Sequence, residues 1–256
     1  DGNGKLSKRD GERLGFPVFA MDWFDPNTNN TTIGFKERGF LPEAFVNLLA
    51  MLGWNDGTDK EIFSIEELIA NFSLDRVHKA GAKFDYEKAK WFNAEWIKKM
   101  DNDKLAPLVR PYFDAENIEI HDPNYFVKII GLVKERCHLL PEFIAQSSFF
   151  FKAPTTIDTA SIAPKWEEKK QHFFEELVTL YKSKIEAGML TAPATELETA
   201  FKELGAKHEL KPGELMLPFR IMLVGGKFGP GVFDIVEAIE LKDTVARIQN
   251  CLQLLS

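Results

Sequence analysis

From Leu41 almost to the last residue, apolar side chains recur at three- and four-residue spacing, and no sustained alternation follows about residue 36. A period near 3.6 gathers such residues on one stripe of a helix, and a chain of such stripes buries them helix against helix. The fold class this implies is mainly α. A doubly wound parallel sheet is not encoded, because its buried strands would read as short apolar, β-branched runs between the helices. No repeat with a period of about 20 to 50 residues is present.

Local signals place the elements. In LPEAFVNLLAMLG (41–53), Pro42 suits a first helical turn, Leu41, Phe45, Leu48, Leu49 and Leu52 share a face, and Gly53 suits the position just past the end. Ser64 and Glu67 form a capping box ahead of Ile65, Leu68, Ile69 and Phe72. A third helix is predicted from about Tyr86 to Met100. After Asp122 and Pro123, the positions Phe126, Ile129, Ile130, Val133, Cys137 and Leu140 predict one amphipathic helix. The polar connector APTTIDTASIAP (153–164) leads into a long helix, about Lys165 to Ala187, which Gly188 stops. Thr195 with Glu198 is expected to cap a helix carrying Leu197, Phe201 and Leu204. Asp243 is expected to cap a last one carrying Val245, Ile248, Leu252 and Leu255. The first forty residues, rich in Gly, Asn, Asp and Thr, predict turns with little regular structure.

Composition narrows the function. With 256 residues and 45% hydrophobic content the chain can bury a sizeable core. No apolar run approaches the roughly 18 residues of a membrane helix, so an integral helical membrane protein is excluded. The net charge of −7 argues against coating nucleic acid through bulk positive charge, leaving any RNA contact to local clusters. Such clusters are Lys5, Lys8, Arg9 and Arg13; Lys98, Lys99 and Lys104; and Lys165, Lys169 and Lys170. Cys137 and Cys251 sit in apolar helical stretches and fit the reduced cytosol better than a disulfide framework. His78, His121, His138, His172 and His208 lack zinc-ligand spacing, and no metal site is expected. Phe173, Phe174 and Phe201 are assigned to core packing. The chain opens on Asp1 without a leader pattern, which reads as a cut.

Lys5, Leu6, Ser7, Lys8 and Arg9 form a glycine-flanked basic loop able to close over a polyphosphate, though taken alone it reads first as a solvated basic turn. KLSKR resembles the KMSKS signature of class I aminoacyl-tRNA synthetases. Further blocks follow in order: GFLPEAFVNLLAMLGW (39–54), EIFSIEELI (61–69), FDYEKAKWFN (84–93), ERCHLL (135–140) and LMLPFRIMLVGGKFGPGVFDIVEAI (215–239). With them, essentially the whole chain is similar to bacterial glutamyl-tRNA synthetases.

The resemblance implies an ATP-loop and stem-contact region over 1–95, a helical connecting and anticodon-binding domain over 96–155, and a C-terminal α-helical anticodon-binding domain over 156–256. The family's Rossmann catalytic domain with its HIGH motif is missing from these residues, so the chain reads as a carboxyl half that does not catalyse alone. The implied activity of the intact enzyme is activation of L-glutamate with ATP and Mg, then transfer to tRNA(Glu). The implied setting is a cytoplasmic monomer that binds neither DNA nor membrane. Residues 5–9 would bind ATP, with Lys8 stabilising the departing pyrophosphate, Lys5 supporting it, Ser7 donating to phosphate or capping the loop, and Arg9 standing where many synthetases have serine.

Anticodon contacts carry over to Arg136, Arg220, Gly229, Pro230 and Val232. At Gly229 the family can have a threonine, whose side-chain hydrogen bond is lost here. Arg136 is expected to favour a glutamate anticodon over a glutamine one by reading its third base. Read without the family, GGKFGPG is a plausible helix-to-helix turn and Arg136 a partner for Glu135 or Glu142. The stretch Asp22–Phe35 is expected to be a hairpin or loop insertion. Rival readings are a non-catalytic helical RNA-binding module and a protein-interaction scaffold. The glutaminyl enzymes, whose anticodon-binding part is built of β-barrels, disagree with the helical period after Asp122.

Overall fold

The computed structural model describes residues 15–78 and 84–255. The expected ATP loop, Lys5 to Arg9, lies outside them. The chain divides into two compact units, Asp1–Glu116 with Lys134–Ala145, and Asn117–Val133 with Gln146–Ser256. Both are built mainly from helices.

The first unit opens on a hairpin, β1 (Trp23–Asp25) antiparallel to β2 (Asn30–Thr32), with Trp23 opposite Thr32. Of the two forms expected for Asp22–Phe35, hairpin or loop insertion, it takes the hairpin, within a segment otherwise expected to hold little regular structure. The same Asp and Asn residues explain it: the Asp25 carboxylate accepts the Asn27 N–H at 2.9 Å and Asn29 takes φ 55°, so the turn chemistry closes a strand pair. Helix α1 (Pro42–Gly53) starts at its proline as expected, but Gly53 is its last residue, and Trp54 follows in extended backbone. Leu49, expected on the buried face, is 52% exposed. Asn47 takes the inward position instead. Its Oδ1 accepts from the Phe63 N–H (3.0 Å) and Trp96 Nε1 (3.2 Å), and its Nδ2 donates to the Glu61 carbonyl (2.8 Å).

Helix α2 (Ile65–Asn71) carries the capping box, with Glu67 N–H donating to Ser64 Oγ and Ser64 N–H to the Glu67 carboxylate. Only Leu68 of its apolar residues is buried, against Trp54 and Phe63, while Ile65, Ile69 and Phe72 stay exposed. Helix α3 (Tyr86–Lys99) follows the expected range, and α1 packs against it. The apolar pattern did not single out α4 (Asn102–Ala115), which holds Pro107 and Pro111. These prolines sit four residues apart on an exposed face, where water can serve the carbonyls left without helical donors, while Leu105, Val109 and Phe113 are buried.

In the second unit, α5 runs only over Pro123–Val133, and the chain then enters a 3-10 turn of the first unit, Lys134–Arg136. One helix reaching Leu140 was expected, and all six predicted positions are indeed buried. The helix does not continue to Leu140, where backbone groups bond elsewhere: His138 O accepts from Asn93 Nδ2 at 2.6 Å, and Leu140 N–H donates to Gly39 O at 3.2 Å. The short α6 (Glu142–Ser147) follows.

Helix α7 (Glu168–Glu186) ends ahead of Gly188, whose φ is 85°. Helix α8 (Ala194–Lys207) is not capped by Thr195. The Glu237 carboxylate accepts the Ala194 N–H at 2.9 Å, a long-range substitute for a local cap. Helix α9 (Pro212–Val224) and helix α10 (Val232–Leu255) pack on each other, and α7 and α8 also pack on α10.

Helix α10 breaks at Glu240 (φ 67°, ψ 161°), where Leu241 N–H donates to Leu190 O at 2.9 Å. Asp243, expected to cap the last segment, lies inside it and binds Arg247. Phe173, Phe174 and Phe201 lie in the core as expected, Phe201 stacking on Phe219 with centroids 5.1 Å apart. Truncating any of these buried rings to alanine is worth about 3 to 5 kcal/mol.

Candidate nucleic-acid interface

Helix α9 buries Leu215, Pro218, Phe219, Ile221, Met222, Leu223 and Val224, so residues from most of its circumference face protein. Arg220 is half-buried among them, at the end nearest the connection to α10. Gly225 caps the helix with left-handed backbone, φ 81°. The chain then returns over Arg220, whose Nη1 donates to the carbonyl oxygens of Phe228 (3.1 Å), Gly229 (3.1 Å) and Pro230 (2.6 Å). A cationic donor facing three carbonyls makes charge-assisted bonds of roughly twice the neutral strength. Gly229 makes the convergence possible: its φ is +95°, and a Cβ there would stand 3.3 Å from Phe149 Cζ.

GGKFGPG is therefore a helix-to-helix turn and also a loop organised by an arginine. The structure brings Arg220, Gly229 and Pro230 together. Gly229 and Pro230 are buried, and Val232, the first residue of α10, is 2% exposed. Lys227, Phe228 and Gly231 are the loop residues that face solvent.

Sequence reasoning missed Arg247. It is 4% exposed; Nη1 donates to Leu223 O (2.6 Å), and Nη2 to Phe149 O (2.8 Å) and Asp243 Oδ2 (2.6 Å). One side chain thus ties the end of α9, the 3-10 turn Ser148–Phe150 and the last segment of α10 into the frame behind the loop. The available signal was an arginine four residues after an aspartate, on a helix face otherwise made of Thr244, Ile248 and Cys251.

In the first unit, the turn carrying Arg136 packs on α3. Lys134 Nζ donates to Met100 O (3.0 Å), and Asn93 bridges Leu41 N–H (2.7 Å), Gly39 O (3.2 Å) and His138 O (2.6 Å). Arg136 itself is exposed, and no hydrogen bond or ion pair among the described residues engages it. The Glu142 carboxylate, a possible partner for it, accepts the His138 N–H at 2.7 Å instead. Burial pushes the neighbouring Cys137 thiol up to about 12. The structure therefore presents an anchored turn with an outward guanidinium.

The other lysine clusters are largely committed. Lys98 pairs with Glu95 (2.7 Å), Lys104 with Asp101 (3.2 Å) and Lys169 with Glu209 (3.0 Å). Lys170 is only 5% exposed and donates to Lys165 O at 2.5 Å, so 165–170 is no open basic patch. Among the described residues no group of three His, Cys, Asp or Glu side chains is placed to hold a metal ion, and no helix is long and apolar enough to cross a membrane.

Residues 104–252, more than half of the chain and the span holding Arg136, Arg220, Arg247 and the loop, match the family model described as "Anticodon binding domain". The chain belongs to this anticodon-binding family. Residues 2–91 match a second model, "tRNA synthetases class I (E and Q), catalytic domain". The chain is 44% identical over 254 residues to the glutamate–tRNA ligase of Flavobacterium psychrophilum, covering 99% of this chain and 49% of that protein. It is 42% identical to that of Porphyromonas gingivalis, covering 100% and 49%. The crystal structure of a glutamate tRNA ligase from Elizabethkingia meningosepticum in complex with its amino acid superposes with a TM-score of 0.91 at 38% identity, covering 100% of this chain and 50% of that one. The chain thus spans about half the length of the relatives it matches. The resemblance to glutamyl-tRNA synthetases drawn from KLSKR, GFLPEA and the later blocks holds for this member of the anticodon-binding family over its whole length.

Proposed function

We propose that this chain is the tRNA-recognising part of a glutamate–tRNA ligase, binding the anticodon loop of tRNA(Glu). The observation that carries the reading is the Arg220 clamp on the carbonyls of residues 228–230, inside the span that matches the anticodon-binding family. Proteins read single-stranded RNA loops by splaying bases out and meeting their edges with arginine and backbone groups, which requires a loop held in one shape. Arg220 holds that shape, and Gly229 offers backbone alone at its position. Arg136, outward on its anchored turn, reads the third anticodon base and favours the glutamate anticodon.

In the intact ligase, ATP and L-glutamate are the co-substrates, ATP entering with magnesium. Lys5, Leu6, Ser7, Lys8 and Arg9 close over the ATP, and Lys8 stabilises charge on the leaving pyrophosphate more than in the ground state, which lowers the barrier to adenylate formation. The work divides between an ATP-loop and stem-contact region (1–95) and helical regions over 96–155 and 156–256. The setting is cytoplasmic and the protein monomeric, and this half does not aminoacylate alone. Titration of the chain with an anticodon arm of tRNA(Glu) tests the reading. Binding that Arg220→Ala removes supports it; equal binding of the arm and of a hairpin with no unpaired loop overturns it.

A further inference from the structure

We propose that Phe228 is a stacking platform for one unpaired nucleobase, with Lys227 beside it to meet the adjoining phosphate. The proposal rests on the anticodon-binding reading and adds to it a residue outside the expected contact set. Phe228 is 40% exposed, although the buried Phe149 ring lies 5.9 Å from it and marks an apolar alternative within reach. Its position is fixed from several directions. A Cβ on Gly226 would fall 2.6 Å from Phe228 Cε1 and 2.9 Å from Cδ1, so the ring rests directly on the Gly226 backbone. Phe149 meets it with ring planes 60° apart, and Arg220 grips the Phe228 carbonyl at 3.1 Å.

A ring already held in place costs little entropy to use, which is the condition for an effective binding surface. Its surroundings choose the ligand. Lys227 is exposed at the next position, and its charge reaches Asp158, whose carboxyl is held below the ordinary range first by the Ser161 hydroxyl and further by Lys227. The loop's glycines at 225, 226, 229 and 231 bring no apolar side chain of their own beside the ring. A lone aromatic face beside one exposed cation matches a base with its phosphate. Because every base has a π face, the platform contributes affinity and leaves selectivity to the arginines.

The test is a cycle between protein and RNA, using the full 256-residue chain and tRNA(Glu) anticodon arms carrying an abasic site at each loop nucleotide in turn. Phe228→Ala is expected to weaken the intact arm about tenfold, and Phe228→Trp to retain affinity. One abasic arm is expected to bind wild type about tenfold more weakly and the alanine variant no more weakly still, the signature of a direct stack. Additive losses at every position, or equal binding of intact arm by wild type and Phe228→Ala, overturn the platform while leaving the anticodon reading in place. Wild-type binding that does not distinguish the arm from a hairpin without unpaired bases overturns both.

Discussion

Arg220 reaches across the connection between α9 and α10 to the carbonyl oxygen of Pro230, with Nη1 at 2.6 Å. The contact couples the helix that supplies the arginine to the loop it organises. A lysine can supply the charge, but its flexible stem holds the donor less firmly than the planar guanidinium whose Nη1 meets all three carbonyls. Arg220→Lys is therefore expected to cost about 1 to 2 kcal/mol in urea denaturation and to weaken anticodon-arm binding about tenfold. Unchanged stability and affinity in that variant would show that the carbonyl contacts are incidental.

Arg247 stands behind the same loop with its guanidinium buried, and removing it strands Leu223 O, Phe149 O and the Asp243 carboxylate together. Asp243 is 41% exposed and can rehydrate, so the penalty is less than for a wholly buried pair. Arg247→Met is expected to lose about 3 kcal/mol by chemical denaturation, and Asp243→Asn about 1 kcal/mol. Similar losses for the two would mean that the carboxylate, and not the two carbonyls, is the main partner.

Asn93 plays the corresponding part in the first unit, using both ends of its amide for Leu41, Gly39 and His138. Asn93→Ala leaves these buried groups unpaired and is expected to cost about 2 to 3 kcal/mol. Hydrogen exchange at Leu140, whose N–H is held by Gly39 O, should accelerate along with it. If protection there survives the substitution, the turn bearing Arg136 is anchored by Lys134 alone.

Alkaline pH should weaken the fold through burial. The thiols of Cys137 and Cys251 are pushed from 9.0 to about 12 and about 11, and the Tyr125 hydroxyl from 10.0 to about 12, each chiefly by desolvation. Above the ordinary values the unfolded chain releases these protons while the folded chain keeps them, so stability falls as pH rises. The cysteine contribution is intact below about pH 9 and that of Tyr125 below about pH 10, and each declines by about 1 kcal/mol per pH unit above that. Denaturation midpoints measured across that range should fall, and less steeply in a variant with both cysteines changed to alanine. Both thiols should also resist alkylation until the chain unfolds.

Much of the architecture was legible because the helical period is written in residues such as Phe126, Ile129, Ile130 and Val133, which are buried as predicted. What the sequence hid were long-range substitutions for local rules. Glu237 took the capping role expected of Thr195, Leu190 drew the Leu241 N–H out of helix register at Glu240, and the amide of Asn93 bonds the His138 carbonyl, where α5 was expected to continue. Pro107 and Pro111 concealed α4 because a proline reads as a stop unless its exposed face is known. At the site, Arg220 and its glycine-rich partner were visible as a motif. Arg247 was not, since a buried arginine and a surface one look alike in sequence, and the burial of Pro230 and Val232 depends on packing around α10 that spacing does not reveal.

The central claim is that this chain reads an anticodon, and selectivity tests it most directly. Anticodon arms with a glutamate or a glutamine anticodon would be titrated against the 256-residue chain at two salt concentrations, with Arg136→Gln alongside. The account predicts tighter binding of the glutamate arm at both salts, and loss of that preference in Arg136→Gln with little loss of total affinity. Equal binding of both arms that fades together as salt rises would contradict it, leaving only nonspecific attraction to the phosphate backbone.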